Sequence, residues 1–186
     1  FAGAVIGVAV GVVAAVSRTV RDFLDPLVAT VNVIPAVITL PVIALWTGVG
    51  TETIILVTAY STMIPVYRGA IDEIKVADRR LTWAAHSLGA RGPRYVRSVV
   101  LPLVLIGAVR TIRVALGYAW RASIAAEILV VAQQGLGSLT FDAHQFGNIA
   151  TMLAALVTIL VVGLVLDLGA MAVQSRVLQH RGLIGR

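Results

Sequence analysis

Residues 26–51 read PLVATVNVIPAVITLPVIALWTGVGT, a run of 26 positions without one charged side chain. The hydrocarbon core of a bilayer takes about 20 apolar residues as a helix. A helix pairs its own backbone groups there, whereas an open strand leaves them unpaired in lipid. The run therefore predicts a membrane-spanning helix, which we place at about Leu27–Thr47.

The composition of the whole chain agrees with a membrane protein. Of its 186 residues, 59% are hydrophobic and 13% are charged, whereas about a quarter of the residues of soluble domains are charged. The fold class predicted is all-α: one polytopic membrane helical bundle over residues 1–186. The net charge of +6 is assigned to cytoplasmic loops and lipid headgroups, with no nucleic acid as partner. Cysteine is absent, which excludes thiolate chemistry and disulfides.

Four further spans are predicted, at Ala2–Ser17, Thr53–Tyr67, Leu103–Val131 and Asn148–Val173. If the five spans alternate in direction, all Lys and Arg residues except Arg121 fall on one side of the membrane, as the positive-inside rule requires. Arg121 lies deep in the fourth span. The C-terminus and a loop at about residues 71–100 are then cytoplasmic. Because the chain begins at Phe1 in apolar sequence, we expect an N-terminal portion to be missing.

The cytoplasmic loop contains the basic stretch WAAHSLGARGPRYVRSVVLP, residues 83–102. Asp78 suits the start of a short helix, and Gly89 suits the left-handed residue that closes it. Pro93 suits the first position of a second short helix. The alternative interpretation is an amphipathic hairpin on the membrane surface that merely joins two spans.

This stretch resembles the cytoplasmic loop of permease subunits of bacterial ATP-binding-cassette importers. The pattern of that loop is Glu-Ala-Ala, then Gly, then Leu-Pro, and Trp83 stands here in place of the Glu. The residues that the resemblance assigns to the contact with the ATPase are Trp83, Ala84, Ala85, Leu88, Gly89, Leu101 and Pro102.

The resemblance covers nearly the whole chain. IPAVITLPVIALWTGVG at residues 34–50, VRTIRVALGYAW at 109–120, AAEIL at 125–129, GLGSL at 135–139 and DAHQF at 142–146 are similar in order and spacing to one branch of these permeases. That branch serves nitrate, taurine and alkane-sulfonate importers. It implies the type I importer permease fold in the inner (plasma) membrane, with six helices in the intact protein and five of them here.

The family's mechanism implies the partners. Two permease subunits, here a homodimer or a pseudo-symmetric pair, would form the path for a small solute. Two ATPase subunits would bind the cytoplasmic loops, and an external binding protein would deliver the substrate. The chain has no G-x-x-x-x-G-K-[ST] phosphate loop, so it is not expected to be an enzyme or to hold a cofactor. ATP and magnesium would be bound by the ATPase subunits.

Several charged residues fall inside the predicted spans, where they usually face the bundle interior or a water-filled path. Arg121, Glu127 and the neighbouring Trp120 are the candidates for the translocation path, with a structural ion pair as the alternative for the two charges. An arginine beside the path would favour an anionic substrate. A turn at the outer mouth is predicted for Gly135–Leu139. Arg113, Trp120 and Glu127 recur every seven residues and share one helix face.

Other charges are expected to be structural. Arg110 and Arg113 lie near the cytoplasmic end of their span, and their side chains can reach the headgroups. Asp167 lies nine residues before Arg176, and a structural pair at the cytoplasmic end is expected for it.

No catalytic or metal site is predicted. The three histidines lie in different segments, and no G-x-S-x-G motif is present. Two other classes of function stay open: a self-contained secondary transporter or channel, and a membrane scaffold that transports nothing. A secondary transporter commonly shows an inverted internal repeat, which the sequence lacks.

Overall fold

In the computed structural model, residues 2–76, 83–85, 87–129 and 135–180 are described. These residues form helices and connections and contain no strand. The helices of eight residues or more are α1 (Ala2–Val16), α2 (Arg18–Val31), α3 (Ala36–Thr47), α4 (Thr51–Val76), α5 (Leu101–Arg110), α6 (Ile112–Leu129), α7 (Leu136–Gln145) and α8 (Ile149–His180). The predicted all-α class is confirmed.

α4 is the central helix of the bundle, and small residues bring α1 against it. The buried glycines of α1 are Gly3, Gly7 and Gly11. A Cβ atom on Gly7 would lie 2.8 Å from the carbonyl oxygen of Met63, and one on Gly11 would lie 2.9 Å from Cβ of Ala70. Their spacing of four residues therefore serves close helix contact, as in other membrane bundles.

The second predicted span is not one helix. α2 and α3 are bent by 99° at the break between Val31 and Ala36. Pro35 is the N-cap residue of α3, and the residue before a proline is disfavoured in helical conformation, so a helix is not expected to continue through Ile34. α2 has no buried residue and carries four charged side chains, which is typical of a helix at a membrane surface.

The helix that contains the third predicted span extends beyond that span. The sequence predicted its end at Tyr67, before Arg68, but α4 continues to Val76. Buried Ala70 and Ile71 make this extension part of the core, because they pack against α1 and the segment around Val104. The segment between the packed helices is therefore shorter than the predicted loop of residues 71–100.

The fourth predicted span is also bent, by 53°, between α5 and α6. A short helical turn, Pro93–Tyr95, and a π-helical turn, Val96–Val100, precede α5. The N–H group of Leu101 donates to the carbonyl of Val96, five residues back, and Pro102 follows. Proline removes one backbone donor, and a wider turn is one way in which a helix adapts to the loss.

Within the described ranges, two helices, α4 and α8, are long and apolar enough to cross a membrane by themselves. The bent pairs α2–α3 and α5–α6 pass the same test if each pair is taken as one span, and α1 is a shorter apolar helix of 15 residues. Each of the five predicted apolar segments thus corresponds to helical structure. The predicted turn at Gly135–Leu139 was wrong, because α7 begins at Leu136.

Candidate functional site

The described part of the loop that the sequence predicts to be cytoplasmic presents an apolar surface. Trp83–Ala85 are helical, and the side chains of Trp83 and Leu88 are 72% and 83% exposed. Gly89 has φ +79°, and the N–H group of Ala90 donates to the carbonyl of Ala85 at 2.9 Å. This bond spans five residues around a left-handed glycine, as at the Schellman end of a helix. The predicted conformation of Gly89 is confirmed, whereas Asp78 lies outside the described residues.

The two helices that flank the loop contact each other directly. A Cβ atom on Gly107 of α5 would overlap the carbonyl oxygen of Gly69 in α4, so the two backbones touch. Nearby, the guanidinium of Arg110 donates to the carboxylate of Glu73 at 2.8 Å. The amide of Gln174 in α8 donates to the carbonyl of Arg110 at 3.0 Å. α4 and α5, which lie on either side of the loop and are called here the loop arms, therefore contact each other within two turns of the end of α4.

Leu101 and Pro102, which the resemblance assigned to the loop, lie in the first turn of α5. Both are half-buried. The preceding residues Val99 and Val100 are buried, and Val100 packs with Ala70 and Val104 in one apolar cluster. Leu101 and Pro102 therefore connect the loop to the bundle, whereas Trp83 and Leu88 form the exposed surface of the loop. Trp83, Ala84, Leu88 and Gly89 are together called the loop knob.

One face of α6 carries Arg113, Trp120 and Glu127, as predicted, and this face is turned toward α8 and α7. Arg113 forms two hydrogen bonds with Asp167 of α8, of 2.9 Å and 2.5 Å. A Cβ atom on Gly163 would lie 3.0 Å from Nε1 of Trp120, so the indole packs closely against the backbone of α8 at this glycine. The expected structural pair of Asp167 is therefore present, with Arg113 of α6 as its partner.

Glu127 accepts a hydrogen bond of 2.8 Å from the N–H group of Gly137 in the first turn of α7. The first N–H groups of a helix have no partner within the helix, and a carboxylate there is favourable. The glycines of GLGSL permit this approach, because a Cβ atom on Gly137 would lie 2.5 Å from the carbonyl oxygen of Ile124. The described contacts of Glu127 are thus those of an anchor for α7.

Arg121 lies on a different face of α6 and is exposed. Its Nε donates to the carbonyl of Gly117 at 3.0 Å, and its guanidinium carbon lies 5.0 Å from the centre of the Tyr118 ring. Both contacts are within α6, so no other described helix neutralises this charge. Of the three path candidates, only Arg121 projects from the described bundle.

Sequence reasoning missed a second charged cluster, where α2 packs on α4. Asp25 accepts hydrogen bonds of 2.8 Å each from the hydroxyl of Tyr67 and the ammonium of Lys75. These residues are 42 and 50 positions away from Asp25 in the sequence. A signal was present, because Asp25 stands at the end of a charged amphipathic segment. Its partners follow only from the packing of α2 on α4.

Residues 7–179 match the family described as binding-protein-dependent transport system inner membrane component. The chain belongs to this family. Apolar helices in a member of an inner-membrane family make this chain a multi-pass membrane protein. The family resemblance inferred from the loop and the flanking motifs is confirmed.

The chain is similar to permeases that are named for different small solutes. The taurine transport system permease protein TauC of Escherichia coli is 32% identical over 98% of this chain and 66% of its own length. The putative aliphatic sulfonates transport permease protein SsuC of Bacillus subtilis is 28% identical, over 96% and 64%. The bicarbonate transport system permease protein CmpB of Synechococcus elongatus is 27% identical, over 88% and 59%. The chain spans about two thirds of the length of the first two.

Proposed function

We propose that this chain is the permease subunit of an ATP-driven importer and that the loop knob is its contact with a separate ATPase subunit. The observation that carries the proposal is the exposure of Trp83 and Leu88 on a helix end closed by Gly89. Tryptophan is enriched among the residues that dominate protein interfaces. In the proposed topology the loop knob and the C-terminus lie in the cytoplasm, where ATP and magnesium are bound by the ATPase partner.

The packing of the loop arms supports a mechanical role. The loop knob would act on α5 through the turn Val96–Val100, whose last two residues, Val99 and Val100, are buried in the bundle. Because Gly69 touches Gly107 and Glu73 pairs with Arg110, the arms would move together. Closure of two ATPase subunits on ATP would draw two such loops together, and packed helices convert such small shifts into a change of state.

The position of Arg121 supports a second permease subunit and a water-filled path. An arginine within a span is costly in lipid and usually faces a bundle interior or water. Among the described residues, the partners of Arg121 lie in its own helix. A second copy of the chain, placed against this face of α6, would bring Arg121 inside the assembly. The transported solute would then pass between two subunits, and an external binding protein would deliver it.

We infer that the solute is small and anionic or carries an anionic group. The relatives are named for taurine, aliphatic sulfonates and bicarbonate, and each of these solutes carries an oxyanion. Arg121 has no acidic partner among the described residues, and its positive charge would attract such a solute to a water-filled path.

The proposed ATPase contact is tested with two tryptophans of similar exposure. Trp83 is 72% exposed in the loop knob, and Trp46 is 88% exposed at the end of α3 nearest the α3–α4 connection, on the opposite side in the proposed topology. Trp83→Ala is expected to weaken ATPase binding by about 2 kcal/mol, or roughly 30-fold, the size of an interface hot spot. Trp46→Ala is the matched control. Co-purification of the ATPase with the membrane protein in detergent measures both.

A second variant addresses the turn itself. Gly89→Pro cannot adopt φ +79°, because proline fixes φ near −65°. We expect uptake to be lost while the protein still reaches the membrane. Equal ATPase recovery with Trp83→Ala and Trp46→Ala, together with normal uptake by Gly89→Pro, contradicts the proposed contact. Uptake by the chain without any ATPase would instead identify a secondary transporter or channel.

A further inference from the structure

A cleft of about 210 Å³ lies between α2 and the end of α4 that precedes the loop. This volume is about seven times the roughly 30 Å³ that a water molecule occupies in the liquid, and it is smaller than the usual pocket for a drug-sized ligand. The cleft therefore has room for a small polar group. It is lined by Asp25, Val28 and Ala29 of α2 and by Tyr67, Arg68, Ile71, Asp72 and Lys75 of α4.

Four charged residues line the cleft. Asp25 and Lys75 bind each other, whereas Arg68 and Asp72 have no such partner among the described residues. Asp25 is engaged by Tyr67 and Lys75 through the two hydrogen bonds described above. Arg68 and Asp72 lie one turn apart on α4, and both are exposed. Within the described part of the chain, neither forms a side-chain hydrogen bond or an ion pair. The cleft thus offers an open cation beside an open anion, which is the complement of a ligand that carries both charges.

The cleft lies where lipid headgroups are available. Basic groups concentrate at this end of the bundle, which places it at the cytoplasmic leaflet by the positive-inside rule. α2, which forms one wall, exposes Phe23 and Leu27 and buries no residue. Apolar side chains beside charges are typical of helices that lie among headgroups. Val28, Ala29 and Ile71 supply an apolar wall against which the first carbons of a lipid can lie.

We propose that this cleft binds an aminoethyl group joined to an oxyanion, with a lipid of the cytoplasmic leaflet, phosphatidylethanolamine, as its source. The phosphate would accept hydrogen bonds from Arg68, close to the charge of Lys75, and the primary ammonium would donate to Asp72. A headgroup with a trimethylated nitrogen cannot donate such hydrogen bonds, and one without a cation leaves Asp72 unpaired. The inference does not depend on which solute the protein transports.

The test uses the protein in its assembled state, reconstituted in lipid nanodiscs and then released into detergent, with bound lipid measured by native mass spectrometry. Nanodiscs contain equal parts of phosphatidylethanolamine, phosphatidylcholine and phosphatidylglycerol. We expect phosphatidylethanolamine to be retained preferentially. Arg68→Gln and Asp72→Asn should each weaken its retention about two- to fivefold, the range for one partly exposed charge pair. Arg18→Gln and Asp22→Asn are matched controls, because both residues are exposed charges of α2 outside the cleft.

The outcomes separate the possible ligands. Retention of phosphatidylglycerol equal to that of phosphatidylethanolamine overturns the proposal, since a positive patch alone then accounts for lipid binding. Equal loss in the cleft variants and in the α2 controls overturns it as well. A further arm adds ethanolamine phosphate or taurine to the lipid-depleted protein and follows its thermal unfolding. Stabilisation by these solutes that Asp72→Asn abolishes, without retained lipid, supports the chemistry of the cleft but overturns the lipid as its source.

Discussion

At the scale of single residues, the contact of Gly69 with Gly107 is the tightest constraint beside the proposed loop. Overpacking a close contact typically costs about 1–3 kcal/mol. Gly107→Val is therefore expected to lower the stability of the protein by about that amount. The side chain would displace the backbone of α4, because the carbonyl oxygen of Gly69 occupies the position of the added Cβ. The thermal unfolding midpoint in detergent measures the effect.

Gly169→Ala is the control for this substitution. Gly169 lies in α8, and a Cβ atom there would meet nothing within 4 Å, so its midpoint is expected to stay close to that of the parent protein. A midpoint for Gly107→Val that equals the midpoint for Gly169→Ala would show that α4 and α5 do not touch at this position. The proposed joint movement of the loop arms would then lose its physical basis.

At the scale of helices, hydrophobic runs predicted where helices lie but not where they break. Residues 26–51 carry no charged side chain, and hydropathy alone does not distinguish a straight span from the pair α2–α3 bent by 99°. Pro35 marked the break, but a proline inside an apolar run equally predicts a mild kink. The end of α4 was missed for a related reason. Arg68 looked like a span boundary, whereas the buried residues that continue α4 are selected by packing against α1 and α5.

α7 shows how a tertiary contact decides a local structure. Gly135 and Gly137 predict a turn by their composition, but Glu127 supplies a partner for the first turn of a helix. Removing the side-chain partner of a helix N-terminus costs about 0.5–2 kcal/mol. Glu127→Leu is therefore expected to raise amide hydrogen exchange in residues 136–145, by about two- to thirtyfold if the first turn opens in proportion.

Two variants keep this prediction specific. Glu127→Gln retains an acceptor oxygen and is expected to show a smaller increase in exchange. Asp142→Asn changes an exposed acidic residue of α7 whose side chain has no hydrogen bond within the described residues, and it should leave exchange unchanged. If Glu127→Leu behaves like Asp142→Asn, the anchor is not needed for α7, and the role of Glu127 in the translocation path becomes the better explanation.

For the bundle as a whole, hydropathy does not distinguish the helices of the core from those on the surface. Only 6% of the most apolar stretch of α8 is buried within the bundle, whereas 44% of the corresponding stretch of α4 is buried. α8 therefore presents most of its surface to lipid or to another subunit, and α4 carries the core. Apolar side chains are expected on both surfaces, because lipid is as apolar as leucine and drives no burial. This is why the sequence predicted the number of apolar segments but not which helix lies at the centre.

Arg121 is the residue whose role depends most on whether its helix face meets lipid or another subunit. In lipid its charge would be costly, and on a water-filled path between two subunits it would attract an oxyanion. Arg121→Leu is expected to lower the uptake of an anionic substrate about two- to fivefold, the range for one partly exposed charge interaction, with unchanged assembly. Arg121→Lys keeps the charge and should retain most of the uptake. Both are measured as initial rates of labelled solute entry into cells or proteoliposomes that contain the complete transporter.

The sign of the result separates the two environments. If the face of α6 with Arg121 meets lipid, replacing the charge with leucine removes a desolvation cost, and the variant becomes more stable with undiminished uptake. If the face lines the path, uptake falls and stability changes little, because the described partners of Arg121 are only Gly117 and Tyr118 of its own helix. Undiminished uptake of the anion by Arg121→Leu would therefore remove the arginine from the path and, with it, the electrostatic argument for an anionic solute.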